Sequence, residues 1–174
     1  MNQPLLEVVI QRLCYQLIER YSPFEKVVFI GIQPRGVQLL NELELQIKKI
    51  DGHVKWFSGV IDPTFYRDDF RRGDKQLLAH PTKIPVHLDG WKVVLVDDVL
   101  YTGRTIRASL EALLEYGRPE SIDLLVLINR KFTRQLPIEP SFVGKSVDRY
   151  DQQKVKVIWK GEGEGENQVI LSQE

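Results

Sequence analysis

Residues 93–106 read Val-Val-Leu-Val-Asp-Asp-Val-Leu-Tyr-Thr-Gly-Arg-Thr-Ile, and they constrain the fold more than any other stretch of the chain. Val93, Val94, Leu95 and Val96 form an unbroken apolar run, mostly β-branched. Such a run suits a strand buried on both faces, as inside a parallel sheet. Two carboxylates, Asp97 and Asp98, follow at its carboxyl end, and a short turn from Tyr101 to Thr105 then opens an amphipathic helix. In open parallel sheets, ligands gather at the carboxyl ends of strands.

The turn has the chemistry of an anion cradle. Its amides and the helix N-terminus favour negative charge. Thr102 and Thr105 add hydroxyl donors, and Gly103 lets backbone come close. The two carboxylates can accept hydrogen bonds from sugar hydroxyls. Together these groups describe a site for a ribose phosphate.

The rest of the chain supplies a frame for that site. Leu5, Val8, Val9, Leu13, Leu17 and Ile18 lie near helical spacing over 4–21. Val27 to Ile30 reads as a strand, 31–36 as a loop and Val37 to Ile50 as a helix. A looser strand is expected over 54–61, and 62–90 reads as irregular, too long for an ordinary connection. A helix over about 105–116 ends at Gly117-Arg118-Pro119, and Ser121 to Ile128 is a second buried strand. Lys154 to Trp159 reads as a last strand on an edge. The Gly/Glu run 161–166 reads as a solvated turn or disordered hinge, with 162–174 expected to be a flexible tail. Strand–helix alternation predicts one α/β domain over 1–174 with a mainly parallel sheet.

Composition narrows the function classes. Basic and acidic side chains balance at 24 each, so no global field draws the chain to nucleic acid or an anionic membrane. The single Cys14 excludes an internal disulfide and reads as a buried thiol. No run of apolar residues is long enough to cross a bilayer, and no secretory signal is seen, so a cytoplasmic protein is expected. His53, His80 and His87 have no companions at ligand spacing, and Trp56, Trp91 and Trp159 read as packing residues.

Three further loops bear on the site. Gln33-Pro34-Arg35-Gly36 follows the first strand, so Arg35 can pair a phosphate while Gly36 permits close approach. Tyr66-Arg67-Asp68-Asp69-Phe70-Arg71-Arg72-Gly73 is dense in charge and reads as a lid, with Arg67 as its leaving-group contact. Asn129, Arg130 and Lys131 end the second buried strand near the same rim.

The run from Val94 to Thr105 resembles the phosphoribosyl pyrophosphate motif of the type I phosphoribosyltransferases: an apolar strand, two acids, a spacer and Thr-Gly-x-Thr. The resemblance implies that family's α/β fold, a mainly parallel sheet flanked by helices with a small hood. It implies Mg²⁺ carried by the substrate, with no direct protein ligand. It places the 5′-phosphate on Tyr101, Thr102, Gly103, Arg104 and Thr105, and the pyrophosphate on the Arg35–Gly36 loop. Asp97 and Asp98, with Arg67, become the catalytic candidates, and Asn129 and Arg130 the base contacts.

Tyr66-Arg67-Asp68-Asp69, Lys83-Ile84-Pro85-Val86, Leu136-Pro137-Ile138 and Gly144-Lys145 resemble one branch of that family. The branch joins uracil phosphoribosyltransferase activity, making UMP and pyrophosphate, to control of a pyrimidine operon. Its members bind a messenger RNA stem-loop in response to uridine nucleotides such as UMP and UTP, and form dimers or larger oligomers. Arg12, Arg134 and Lys145 are the RNA candidates that the resemblance leaves. Tyr15 and Thr133 stand where the branch carries His, Glu139 where it carries a basic residue, and Asn129 where it often carries Asp. The enzyme is therefore the leading expectation, with an RNA-binding sensor or a purine-specific transferase as alternatives.

Overall fold

The computed structural model describes residues 1–68, 79–148, 153–160 and 166–173, leaving aside the side chains of 153 and 171–173. Helix α1 (Gln3–Tyr21) opens with Pro4 in its first turn and buries Leu6, Val9, Ile10, Leu13, Cys14, Leu17 and Tyr21. Strand β1 (Val27–Ile32) is buried along its whole length and feeds helix α2 (Arg35–Ile50). Strand β2 (Phe57–Ile61) leads into a single 3₁₀ turn, Thr64–Tyr66. Strand β3 (Lys92–Leu100) carries the apolar run and both aspartates, and helix α3 (Arg104–Leu114) follows. Strands β4 (Ser121–Arg130) and β5 (Phe142–Val147) continue the sheet, and β6 (Gln153–Ile158) and β7 (Gln168–Gln173) form a hairpin.

Five strands pair in the order β2-β1-β3-β4-β5, every pair parallel. All five therefore end on one rim. The order reverses between β1 and β3, because β2 lies outside β1 while β4 and β5 extend beyond β3. That reversal opens a crevice where the loop after β1 meets the loop after β3.

The two-residue period of the strands sends alternate side chains to two cores. Phe29, Val94, Val96, Leu125 and Leu127 pack with α1, α2 and the hairpin residues Val157 and Val169. Ile30, Val93, Leu95 and Val126 pack with α3 and Leu88 on the other face. The tryptophans pack as expected: Trp56 stacks on Phe29 at 3.8 Å, Trp91 meets Phe57 edge-on, and Trp159 is buried. Cys14 is fully buried, and burial pushes its thiol up to about 12.

Two expectations are corrected, and one strand escaped the sequence reading. β5 was not foreseen: Gly144 and the exposed Lys145 and Ser146 blur its apolar pattern, and its strand identity comes from pairing with β4. β6 does not edge the main sheet but pairs antiparallel with β7. The expected flexible tail is strand over 168–173, held by that pairing and by Val169, whose carbonyl accepts from the Met1 ammonium at 2.6 Å. The Gly-rich run 161–165 lies outside the described residues. No helix among the described residues is long and apolar enough to cross a membrane.

Candidate active site

The crevice brings together residues that the sequence separates widely. A cavity of about 230 Å³ is lined by Arg67, Asp97, Val99, Leu100 and the turn from Tyr101 through Thr105. Asp97, the turn and Arg67 thus face one space, although Arg67 lies some thirty residues upstream of Asp97.

The two aspartates have different neighbours. Asp97 lines the cavity. Asp98 lies 3.9 Å from the guanidinium of Arg35, the first residue of α2. The Asp98 amide donates to Asp97 Oδ1 at 2.9 Å, so one backbone group ties the pair together. Both side chains are buried. Burial pushes the Asp97 carboxyl well above the ordinary range, and the Asp98 charge adds to that rise, while the Asp98 amide and Arg35 oppose it.

The turn after β3 is held by its own backbone and by a covering loop. Gly103 caps α3 with φ of 90°, a left-handed conformation that side chains rarely adopt. A β-carbon there would lie 3.2 Å from Ile138, so the Leu136–Ile138 segment closes over the turn. The Gln135 amide donates to the Thr102 carbonyl at 3.1 Å, and the Thr133 hydroxyl donates to the Tyr101 carbonyl at 3.2 Å.

Arg35 and Gly36 take different parts. Arg35 stands at the crevice, beyond the cis Gln33–Pro34 peptide. Gly36 answers to the fold: a β-carbon on it would collide with the Val96 carbonyl oxygen. Its missing side chain serves the contact of α2 with β3.

The hood candidates cluster at the end of β4. The Arg130 guanidinium stacks over the Tyr101 ring at 4.2 Å. Asn129 Oδ1 accepts from Arg134 Nη2. Arg134 also donates to the carbonyls of Ile138, at 2.9 Å, and of Tyr101, Leu100 and Arg130. Burial lowers the Arg134 pKa, and the Glu139 carboxylate works against that. Arg134 therefore stitches the hood to the turn. Arg12 is similarly engaged, donating to the carbonyls of Val143, at 3.0 Å, and Gly144. Lys145 is exposed.

The charged segment after β2 lies partly in view. Residues 69–73 of the expected lid lie outside the described residues. Within 66–68, Asp68 bridges two arginines of α3: Arg104 Nη1 donates to its Oδ2 at 2.8 Å and Arg107 Nη2 to its Oδ1 at 2.7 Å. Sequence reasoning singled out neither Arg107 nor Gln135, whose Oε1 accepts from Arg104 Nε at 2.7 Å. Their partners lie 31 to 39 residues away, so no spacing rule could find them. Asp62 was missed too. It is buried, and it accepts from the Thr64 amide at 2.8 Å and from the His80 amide, tying together both roots of the excursion between β2 and β3. Burial works to raise its pKa, but hydrogen bonds from Thr64 and His80 outweigh it, and the carboxyl lies below its ordinary value.

A family model described as the phosphoribosyl transferase domain matches residues 1–164. The Synechocystis protein named Bifunctional protein PyrR is 49% identical over 146 residues, 84% of this chain and 80% of that one. The Bifunctional protein PyrR of Halalkalibacterium halodurans is 42% identical over 164 residues, 93% of this chain and 89% of that one. The chain belongs to the PyrR family of phosphoribosyl transferases. The family assignment agrees with the solved structures that share the fold. A hypoxanthine phosphoribosyltransferase from Staphylococcus aureus superimposes with a TM-score of 0.65 at 19% identity, covering 83% of this chain and 74% of that one. A hypoxanthine-guanine phosphoribosyltransferase from Bacillus anthracis gives 0.68 at 16%, covering 84% and 82%. At such identities the likeness speaks for the fold alone. It places this PyrR-family chain on the parallel-sheet scaffold of the type I transferases.

Proposed function

We propose that this chain transfers the ribosyl 5-phosphate of phosphoribosyl pyrophosphate to N1 of uracil, giving UMP and releasing pyrophosphate. One observation carries the reading: Asp97 lies buried in the same cavity as the Tyr101–Thr105 turn and Arg67, at the reversal point of the sheet. The similarity to the PyrR relatives supports uracil as the base.

The turn amides, the start of α3 and the hydroxyls of Thr102 and Thr105 hold the 5′-phosphate. Fixing that end lets the anomeric carbon move while the rest of the sugar stays in place. Asp97 and Asp98 accept hydrogen bonds from the ribose hydroxyls. As the bond to pyrophosphate breaks, positive charge builds on the ring, and carboxylates already in place stabilise it. Arg35 and Arg67 offset the charge of the departing pyrophosphate. Asn129 and Arg130, with Tyr101 beneath, meet the base.

The donor set also suits Mg²⁺ that arrives with the substrate. Among the described residues, no group of three or more His, Cys, Asp or Glu side chains could hold a metal. Asp97 and Asp98, without ligating the ion directly, would face the waters and substrate oxygens that it keeps in its shell. Bound there, it would screen the pyrophosphate charge.

The test is pyrophosphate release from Mg-phosphoribosyl pyrophosphate with uracil, hypoxanthine, guanine, adenine and orotate in parallel, with Asp98→Asn as control. Release with uracil, lost in the control, is the expected result. Release with a purine alone overturns the base assignment. Silence with every base, alongside UMP binding that is tightened by a stem-loop RNA, overturns the enzyme in favour of a nucleotide sensor.

A further inference from the structure

Resting on that reading, we propose that Asp68 is a positioning residue: held between Arg104 and Arg107, it sets Arg67 over the cavity and Arg104 across the mouth of the phosphate turn. Segment 66–68 is fastened to α3 and its C-cap residue, Glu115, at three points. The Tyr66 hydroxyl donates to Glu115, the Tyr66 carbonyl accepts from Arg107 Nη2 at 3.0 Å, and the Asp68 carboxylate takes Arg104 and Arg107, one oxygen each. Arg67 lies between these fastenings and lines the cavity with Asp97.

The other side of the network is anchored as well. Arg107 Nη1 donates to Glu111 at 2.6 Å, one turn further along α3. Arg104 Nε donates to Gln135 of the hood at 2.7 Å. The Arg104 guanidinium is thus gripped from the lid side and from the hood side. Two of its five N–H groups serve those grips, and it stands in the middle of the Thr102–Thr105 turn.

Stability does not account for this arrangement. The Asp68, Arg104 and Arg107 side chains are 46%, 57% and 30% exposed. Exposed ion pairs contribute little to folding because water and salt screen them. A chain of such pairs that holds cavity-lining Arg104 and fastens the residue next to cavity-lining Arg67 instead fixes where those two arginines stand. Holding them in advance removes the cost of ordering two long side chains when the substrate binds.

The experiment uses Asp68→Asn, Arg107→Gln and the double variant. Binding of Mg-phosphoribosyl pyrophosphate is measured by calorimetry, with uracil turnover and melting temperature alongside. Each single variant is expected to bind the substrate about tenfold more weakly and to turn over more slowly, with the uracil KM unchanged. The double variant should equal the worse single one, because both act through one linkage. Melting temperatures should stay close to that of the unaltered chain. Unchanged substrate binding in Asp68→Asn, or losses that multiply in the double variant, overturn the inference. Substrate binding without uracil turnover in the unaltered chain removes the function proposed above but leaves the binding comparison to decide this one. No substrate binding by the unaltered chain removes both.

Discussion

Gly36 and Val96 touch backbone to backbone: a β-carbon on Gly36 would land on the Val96 carbonyl oxygen. This contact sets the distance between the start of α2 and the strand that carries Asp97 and Asp98. Gly36→Ala should destabilise the chain by at least about 2 kcal/mol, because the obstacle is backbone within a packed sheet and cannot rotate away. It should also shift Arg35 away from Asp98 and lower the affinity for pyrophosphate. Chemical denaturation and pyrophosphate binding read the two effects.

Asp97 predicts a pH signature. Its carboxyl sits well above the ordinary 3.8 in the folded chain, first because of burial and then because of Asp98. The folded state therefore keeps this proton to higher pH than the unfolded state does. Its contribution to stability is complete below the ordinary aspartate range and is lost as pH rises toward the raised value. Asp97→Asn should flatten that decline and melt higher than the parent at neutral pH. It should also lose about 100-fold or more in kcat, because a charge aimed at the sugar is gone. Melting curves across pH, with assays beside them, check both; equal slopes in parent and variant would refute the assignment.

Arg134 is a hood residue on this structure. Arg134→Ala removes donors to Asn129 and to the carbonyls of Tyr101, Leu100, Arg130 and Ile138. A loss of about 2 kcal/mol is expected, since half-buried acceptors lose a charged donor. The base KM should rise with it. A variant that melts like the parent and fails only in RNA binding would show the side chain serving a different purpose.

Cys14 should resist thiol reagents while the chain is folded. Its thiol is buried and pushed up to about 12, so almost no thiolate forms at about pH 8. An aromatic disulfide reagent should label nothing in the native protein and one thiol per chain in denaturant. Prompt labelling of the folded protein would mean that α1 opens locally.

The β3–turn–α3 unit was legible because its information is local. Strand, carboxylates, glycine turn and helix are adjacent in sequence, and each takes its shape from neighbours within a few residues. Val93 to Val96 had to be buried, and Gly103 had to permit a left-handed cap. The order of strands and helices likewise predicted a parallel sheet, since a parallel pair needs a crossover long enough to hold a helix.

Other features depended on partners far along the chain. β5 became a strand through β4, and 168–173 through β6. Arg134 carries the same charge whether it faces solvent or a carbonyl, and only the closure of Leu136–Ile138 over Gly103 turned it inward. Asp68 was one acid in a charged run until α3 brought Arg104 and Arg107 to it.

The sequence by itself thus determined the phosphate turn, the acidic pair and the type of sheet, because period, turn chemistry and strand burial act over short separations. The tertiary structure decided that Asp97 lines the cavity while Asp98 meets Arg35, and it decided the inward hood arginine and the bridge at Asp68. Those rest on contacts between residues about thirty or more apart, or on where a strand ends relative to its neighbours. Such contacts form only once hydrophobic burial has packed the helices onto the sheet.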